Sequence, residues 1–268
     1  MQSLNISSAA LRSVQQALDT TANNLANLDT VGFKRRTASF SELLFDSMNE
    51  QPAEDRQRTS PPGLRIGSGV RLGMTKLDLS QGSAKITEIP TDLMIEGEGF
   101  FGVSRLTRDP DTNELREEIR LTRNGGFQIK QSPEYNQYAL TTANGDYLVD
   151  ESGVPILMDN PGELKITPEG RVLNDGEEIA RIAVWKVDNP DQYRQVGENE
   201  FLLTPGQPVT NFALSAATIR QGALEASNVD LQQEMAQLIN TQRAFQLNSR
   251  AIGITDQMMG VANSLRSR

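Results

Sequence analysis

Residues 92–118, DLMIEGEGFFGVSRLTRDPDTNELREE, decide the fold. The glycines Gly97-x-Gly99-x-x-Gly102 have the spacing of a dinucleotide-binding turn. Such a turn needs a strand before it and a helix opening within it, whose first amides hold a pyrophosphate. Pro110 and the polar run around it break any helix across this site. Glu117 and Glu118 lie near the distance of a ribose-binding acid, but without a βαβ frame that spacing is chance. The stretch therefore reads as a strand or hairpin whose glycines allow a bulge or a close backbone approach, with Phe100 or Phe101 packed inward. Asp109-Pro-Asp111-Thr-Asn113 starts like a calcium loop. Its sixth place is Glu114 instead of glycine and its twelfth is Arg120 instead of glutamate, so an acidic surface turn is expected.

Outward from this stretch, residues 70–220 carry short alternating runs separated by turn residues, among them VRLGMTKLDL, EIRLTRNGGFQI, YALTTANGDYLV and EFLLT. Asn-Gly at 124–125 and 144–145, and Asn-Asp-Gly at 174–176, are hairpin turns by type. The ends differ. Leu4, Leu11, Leu18 and Leu25 recur every seven residues, with Ser7, Val14, Thr21 and Leu28 between them. Near the other end Leu231, Leu238, Phe245, Ile252 and Met259 repeat the spacing, and Leu247, Ala251, Ile254, Met258, Val261 and Leu265 form a second line. A helix with two offset seams can touch neighbours on two sides. No proline interrupts residues 209–268, so a helix is predicted from about Asn228 onward. Residues 48–69, with Pro52, Pro61, Pro62 and three glycines, read as extended or loop-like.

The fold class expected is α+β. Residues 1–34 and 222–268 form a helical, coiled-coil domain for polymerisation, 35–71 an extended connection, and 72–221 a mostly antiparallel β domain inserted between the helices. The seam is assigned to Leu11, Val14, Leu18, Leu25, Leu28, Leu238, Phe245, Ile252 and Met259.

Composition narrows the chemistry. The 268 residues include no cysteine and no histidine, which removes disulfides, thiolate catalysis, the usual general base and the commonest zinc ligand. Residues 71–220 hold 24 acids and 15 bases while both ends are balanced, so 15 − 24 accounts for the whole net charge of −9. An acidic middle disfavours nucleic acid. The basic triplet Lys34-Arg35-Arg36 reads as a solvated face. No run approaches the roughly 18 apolar residues that span a bilayer, and the first twenty residues lack the basic start and apolar core of a secretory signal. No cofactor, metal or catalytic residue is expected.

Three blocks, in order, resemble the axial proteins of the bacterial flagellum, its rod and hook subunits. ANNLANLDTVGFKRRTASFSELL (22–44) is similar to the family signature through Asn23, Asn24, Leu25, Ala26, Asn27, Thr30, Gly32, Phe33, Lys34, Phe40, Leu43 and Leu44. DLMIEGEGFFGV resembles the family's entry into the β domain through Gly97, Gly99, Phe100 and Phe101, and TRNGGF (122–127) adds a fourth match. QGALEASNVDLQQEMAQLINTQRAFQLNSRAIGITDQMM (221–259) matches the C-terminal signature through Gly222, Glu225, Ser227, Asn228, Val229, Glu234, Gln242, Arg243, Ala244, Asn248 and Asp256. Length and GLRIGSGVR before the β domain are most similar to subunits of the distal rod. Ala10, where many members have glycine, and Phe245, where tyrosine is frequent, depart from the pattern.

The resemblance implies a structural, non-enzymatic subunit that polymerises with itself into a helical tube and meets other rod and hook proteins. It implies helices inside, the β domain outside, and export through the flagellar secretion channel to the basal body. The alternatives are a rod subunit nearer the base, or a secreted, acidic, β-rich protein using Asp/Glu chemistry on carbohydrate.

Overall fold

The computed structural model describes residues 2–42, 45–47, 65–67, 70–108, 115–187, 194–197, 199–202 and 215–266. Most of the 48–69 segment, the calcium-like turn at 109–114 and Leu43 and Leu44 lie outside these. The chain divides into two interleaved compact units. One comprises Met1–Ala26, Arg36–Lys76 and Asp230–Arg268; the other comprises Asn27–Arg35 and Leu77–Val229.

In the first unit, helix α1 (Gln2–Ala26) packs along helix α2 (Leu231–Arg266). The last turn of α1 meets the first turn of α2, where Asn24 Nδ2 donates to Glu234 Oε2 at 3.2 Å, so the pair is antiparallel. Asp230 starts α2 by accepting the Gln232 N–H at 2.8 Å, and Glu234 adds a carboxylate at the positive end of the helix dipole. On α2, Glu234, Leu238, Thr241, Phe245, Asn248, Ile252 and Thr255 are buried or half-buried, a run of alternating fours and threes. On α1 the deepest positions are Ser13, Ala17, Thr21 and Asn24, while Leu11, Val14, Leu18 and Leu25 flank them half-buried. Small side chains let a neighbouring helix approach closely. The Ser13 and Thr21 hydroxyls donate to the carbonyls of Ala9 and Ala17, so neither is buried without a partner. The sequence reading is corrected at one end of the seam. Leu28 lies in the turn beyond α1 because the helix stops at Ala26, and it cannot share the heptad face. Strand Arg36–Glu42 pairs with Val70–Leu77 and packs against α1.

The second unit is built on a nine-stranded sheet. Its order runs Leu157–Met158, Tyr138–Thr141, Tyr147–Leu148, Phe100–Arg108, Leu115–Thr122, Glu200–Leu202, Arg194–Gly197. Val184–Trp185 pairs additionally with Phe100–Arg108, and Gln128–Gln131 with Tyr138–Thr141. The pairings named here are antiparallel. Alternation along Phe100–Arg108 sends successive side chains to opposite faces. Phe101 and Val103 join a core with Leu93, Phe127, Leu140 and Ile182. Phe100 joins a second with Leu121, Trp185 and Phe201. Both phenylalanines are therefore buried, in different cores, where the sequence reading asked for one.

Asp175 and Gly176, with φ of +52° and +89°, form the two-residue turn between Arg171–Asn174 and Glu177–Arg181. Asn144-Gly145 lies in the turn between Tyr138–Thr141 and Tyr147–Leu148. Asn124-Gly125 is a correction. The strands on either side of it do not pair with each other. Instead the Gly125 carbonyl accepts the Leu93 N–H at 2.9 Å, and the turn redirects the chain across the neighbouring strand.

Candidate functional site

The four sequence blocks meet at one buried carboxylate of the second unit. Glu225 is 1% exposed; its Oε1 accepts from Lys34 Nζ at 2.7 Å and from the Gly82 N–H at 2.9 Å, and its Oε2 accepts from Arg123 Nε at 2.6 Å. Its backbone carbonyl accepts the Gly32 N–H at 2.8 Å. The rest of the Arg123 guanidinium donates to the carbonyls of Gly97 and Gly99, the turn that resembled a dinucleotide motif. Lys34 also donates to the Ser80 carbonyl. Thus the glycine-rich turn holds a guanidinium of its own chain and leads directly into the strand at Phe100.

Two glycines are required here by contact. A side chain on Gly102 would occupy the ring of Trp185, with a Cβ at 1.6 Å from a ring carbon. Gly32, at φ +69°, presses on the backbone of Arg123, where a Cβ would lie 2.6 Å from the carbonyl carbon.

Electrostatics at this junction are opposed and balanced. Burial pushes the Glu225 carboxyl up, but Arg123 and Lys34 outweigh it and hold it below the usual carboxylate range. Burial lowers the Lys34 ammonium despite its bond to Glu225. Lys34 therefore corrects the reading of its triplet as a solvated face. Its side chain is buried and ion-paired because Glu225, 191 positions away, comes to meet it.

Asn228 makes the second junction. Its Oδ1 accepts the Arg35 N–H at 2.7 Å, and its Nδ2 donates to the carbonyls of Asp78 and Ser80 at 2.8 and 3.0 Å. Phe33, 3% exposed, lies in the same loop, and its carbonyl accepts the Asn228 N–H. Ser227 Oγ accepts the Val229 N–H.

In the helical unit Asn24 does comparable work. Its Oδ1 accepts the Arg36 N–H at 3.0 Å and its Nδ2 donates to the Arg36 carbonyl at 2.8 Å, besides the bond to Glu234. Asn27 Oδ1 accepts the Thr30 hydroxyl, whereas Asn23 is exposed. Gln242 and Arg243 are exposed on α2. Leu238, Phe245 and Ile252 lie on its inner face, half-buried, and Met259 is 38% exposed. The second line of α2 is strongly exposed among the described residues: Leu247, Ile254, Met258, Val261 and Leu265 are 53–72% exposed.

Sequence reasoning missed the roles of Arg123 and Glu225, although both lie in the quoted blocks. It also missed an ionic cluster in which half-buried Arg105 holds buried Asp146 in a bidentate pair at 2.5 and 2.6 Å and Arg120 holds Glu200 at 3.0 Å. Among the described residues there is no group of three or more acidic, histidine or cysteine side chains that could hold a metal ion. Among the same residues no helix is long and apolar enough to cross a membrane.

Within the second unit buried ion pairs and amide clamps join the sequence blocks, and in the first unit α2 carries an exposed apolar line, features of a subunit built for packing. The chain matches the family described as flagella basal body rod protein over residues 4–34, and the C-terminal family of the flagellar basal body rod proteins FlgE, FlgF and FlgG over residues 220–265. It is 32% identical to the flagellar hook-basal body complex protein FlhP of Bacillus subtilis, over 99% of this chain and all of the relative. It is 31% identical to the flagellar basal-body rod protein FlgG of Borreliella burgdorferi, over 99% of each chain. The same comparison with FlgG of Buchnera aphidicola subsp. Schizaphis graminum gives 32% over 96% of each. This chain belongs to the flagellar basal-body rod protein family: it is a structural rod subunit of the bacterial flagellum, located in the basal body. The family is a structural one and not a family of enzymes.

Proposed function

We propose that the chain is a subunit of the distal rod, polymerising with copies of itself through its terminal helices and meeting other rod and hook proteins at the ends of that polymer. In this reading α1 and α2 form the coiled-coil layer of a helical tube, and the subunit reaches its place through the flagellum's own export channel. The observation that carries it is the outer line of α2. Leu247, Ile254, Met258, Val261 and Leu265 keep a helical spacing yet face solvent in the single chain. A line on one helix that meets a different surface on the next copy makes a head-to-tail contact, which generates open helical assemblies.

Magnitudes fit slow nucleation and ready elongation. Full burial of such side chains contributes about 1.5–3 kcal/mol each, against the roughly 4–15 kcal/mol that association costs. One such stripe alone is marginal, so free subunits stay apart until a growing end offers several contacts at once.

The test places Asp at Ile254, at Leu247, and at the inner position Phe245. Ile254→Asp and Leu247→Asp should leave the soluble subunit folded and exported but abolish rods in electron micrographs of cells. Phe245→Asp should also weaken the isolated helix pair. Normal rods from both outer-line variants, with secreted subunit confirmed by blotting, would sink the proposal.

A further inference from the structure

The sequence contains two Asn-Gly pairs, and the fold treats them differently. At such a pair the glycine amide nitrogen can attack the asparagine side-chain carbonyl. A C–N bond forms, the side-chain nitrogen leaves as ammonia, and a cyclic imide results. Water then opens the imide at either carbonyl, leaving aspartate or isoaspartate. No oxidant or co-reactant beyond water is consumed. The step needs the amide proton to leave, room for a tetrahedral carbon, and freedom of the backbone to turn.

Asn124-Gly125 lacks the room. Gly125 is buried, a Cβ there would lie 1.7 Å from the Leu93 carbonyl oxygen, and the Gly125 carbonyl is bonded to the Leu93 N–H. The Asn124 carboxamide is held as well, with Oδ1 accepting the Gly126 N–H at 3.0 Å while the Asn124 N–H donates to Thr122 Oγ1. Asn144-Gly145 has that room. Ala143, Asn144 and Gly145 are all exposed, and nothing lies within 4 Å of the position a Cβ would take on Gly145. The turn is closed by the Gly145 N–H donating to the Thr142 carbonyl at 3.0 Å and the Thr142 N–H donating to the Asp146 carbonyl at 2.8 Å. The first of these can open into solvent without disturbing a core.

We infer that Asn144 is a site of spontaneous deamidation in the folded chain, and that Asn124 is protected. The product matters locally. The turn borders an open polar cavity lined by Arg105, Glu134, Asp146 and Tyr147. A new carboxylate at 144 enters beside Asp146 and Glu134 and competes for Arg105. Isoaspartate would also lengthen the backbone between two strands of the nine-stranded sheet.

The full, folded chain is incubated in mildly alkaline and in mildly acidic buffer, then digested with trypsin and mapped by mass spectrometry. Cleavage after Arg123, Lys130 and Lys165 separates the two sites, 124 in one peptide and 144 in the next. The 131–165 peptide should accumulate aspartate and isoaspartate forms, faster in alkali, while 124–130 keeps its amide. The conversion should be lost in Asn144→Gln, whose longer side chain disfavours the ring. Chain unfolded in urea should convert at both sites. If the folded chain converts 124 as fast as 144, or leaves 144 intact while unfolded chain converts it, the inference is wrong.

Discussion

Glu225 shows how one side chain can hold together blocks far apart in sequence. Two cations and a backbone amide meet its carboxylate in a water-poor site, so removing the negative charge strands Lys34 and Arg123. Breaking a buried pair from one side costs about 3–5 kcal/mol, and we expect Glu225→Gln to lower the stability of the second unit by that order in denaturant titration. The pH dependence has a definite sign. The folded carboxyl is held below its ordinary value, so its contribution is present above the usual carboxylate range and is lost as pH falls through the folded value. Acid unfolding should therefore be less steep in Glu225→Gln than in the parent chain; equal steepness would show that other carboxylates carry the effect. Gly32→Ala tests the neighbouring contact. Positive φ with a Cβ driven into the Arg123 backbone should cost about 1–3 kcal/mol, read as a lowered denaturation midpoint.

At the scale of the element, much was legible and the missing part has a physical reason. The strand alternation around GEGFFG and the helix predicted from about Asn228, which starts at Leu231 after the Asp230 cap, follow from local pattern, because spacing and caps act over a few residues. The heptads placed α2's inner residues on one face. On α1 hydrophobicity singles out Leu11, Leu18 and Leu25, which are half-buried within the chain, while the closest packing falls on Ser13, Ala17 and Thr21. Close approach favours small side chains, and no hydrophobic pattern marks them. Lys34 was unreadable for another reason: nothing near it in sequence distinguishes a buried lysine from a solvated one. Asn24 belongs between these cases, recognisable as part of a motif but not as a clamp on Arg36 and Glu234. Asn24→Ala leaves the Arg36 amide and carbonyl without their side-chain partner, a loss of about 1–3 kcal/mol. It should appear as reduced helical signal and faster amide exchange in the last turn of α1.

For the whole molecule, the ion pairs decide which pieces can stand alone. A fragment of residues 72–221, the cut drawn from the sequence pattern, omits Glu225 and Asn228 as well as Lys34 and Phe33. It leaves Arg123 buried without its carboxylate. A chain of residues 27–229 retains all of them. We expect the longer piece to unfold cooperatively in urea and the shorter one to do so at clearly lower denaturant, or not at all; equal midpoints would mean that the Glu225 junction contributes little to folding.

The interleaving of the two units has a mechanical consequence. The backbone passes from one to the other after residues 26, 35, 76 and 229, four crossings in a single chain. A domain inserted at one place in another is tied to it by two covalent strands, whereas here there are four. Severing any one of them by a protease leaves three covalent connections between the units. For a rod subunit outside the cell's repair, the path of the chain itself keeps the two units tethered after a single break.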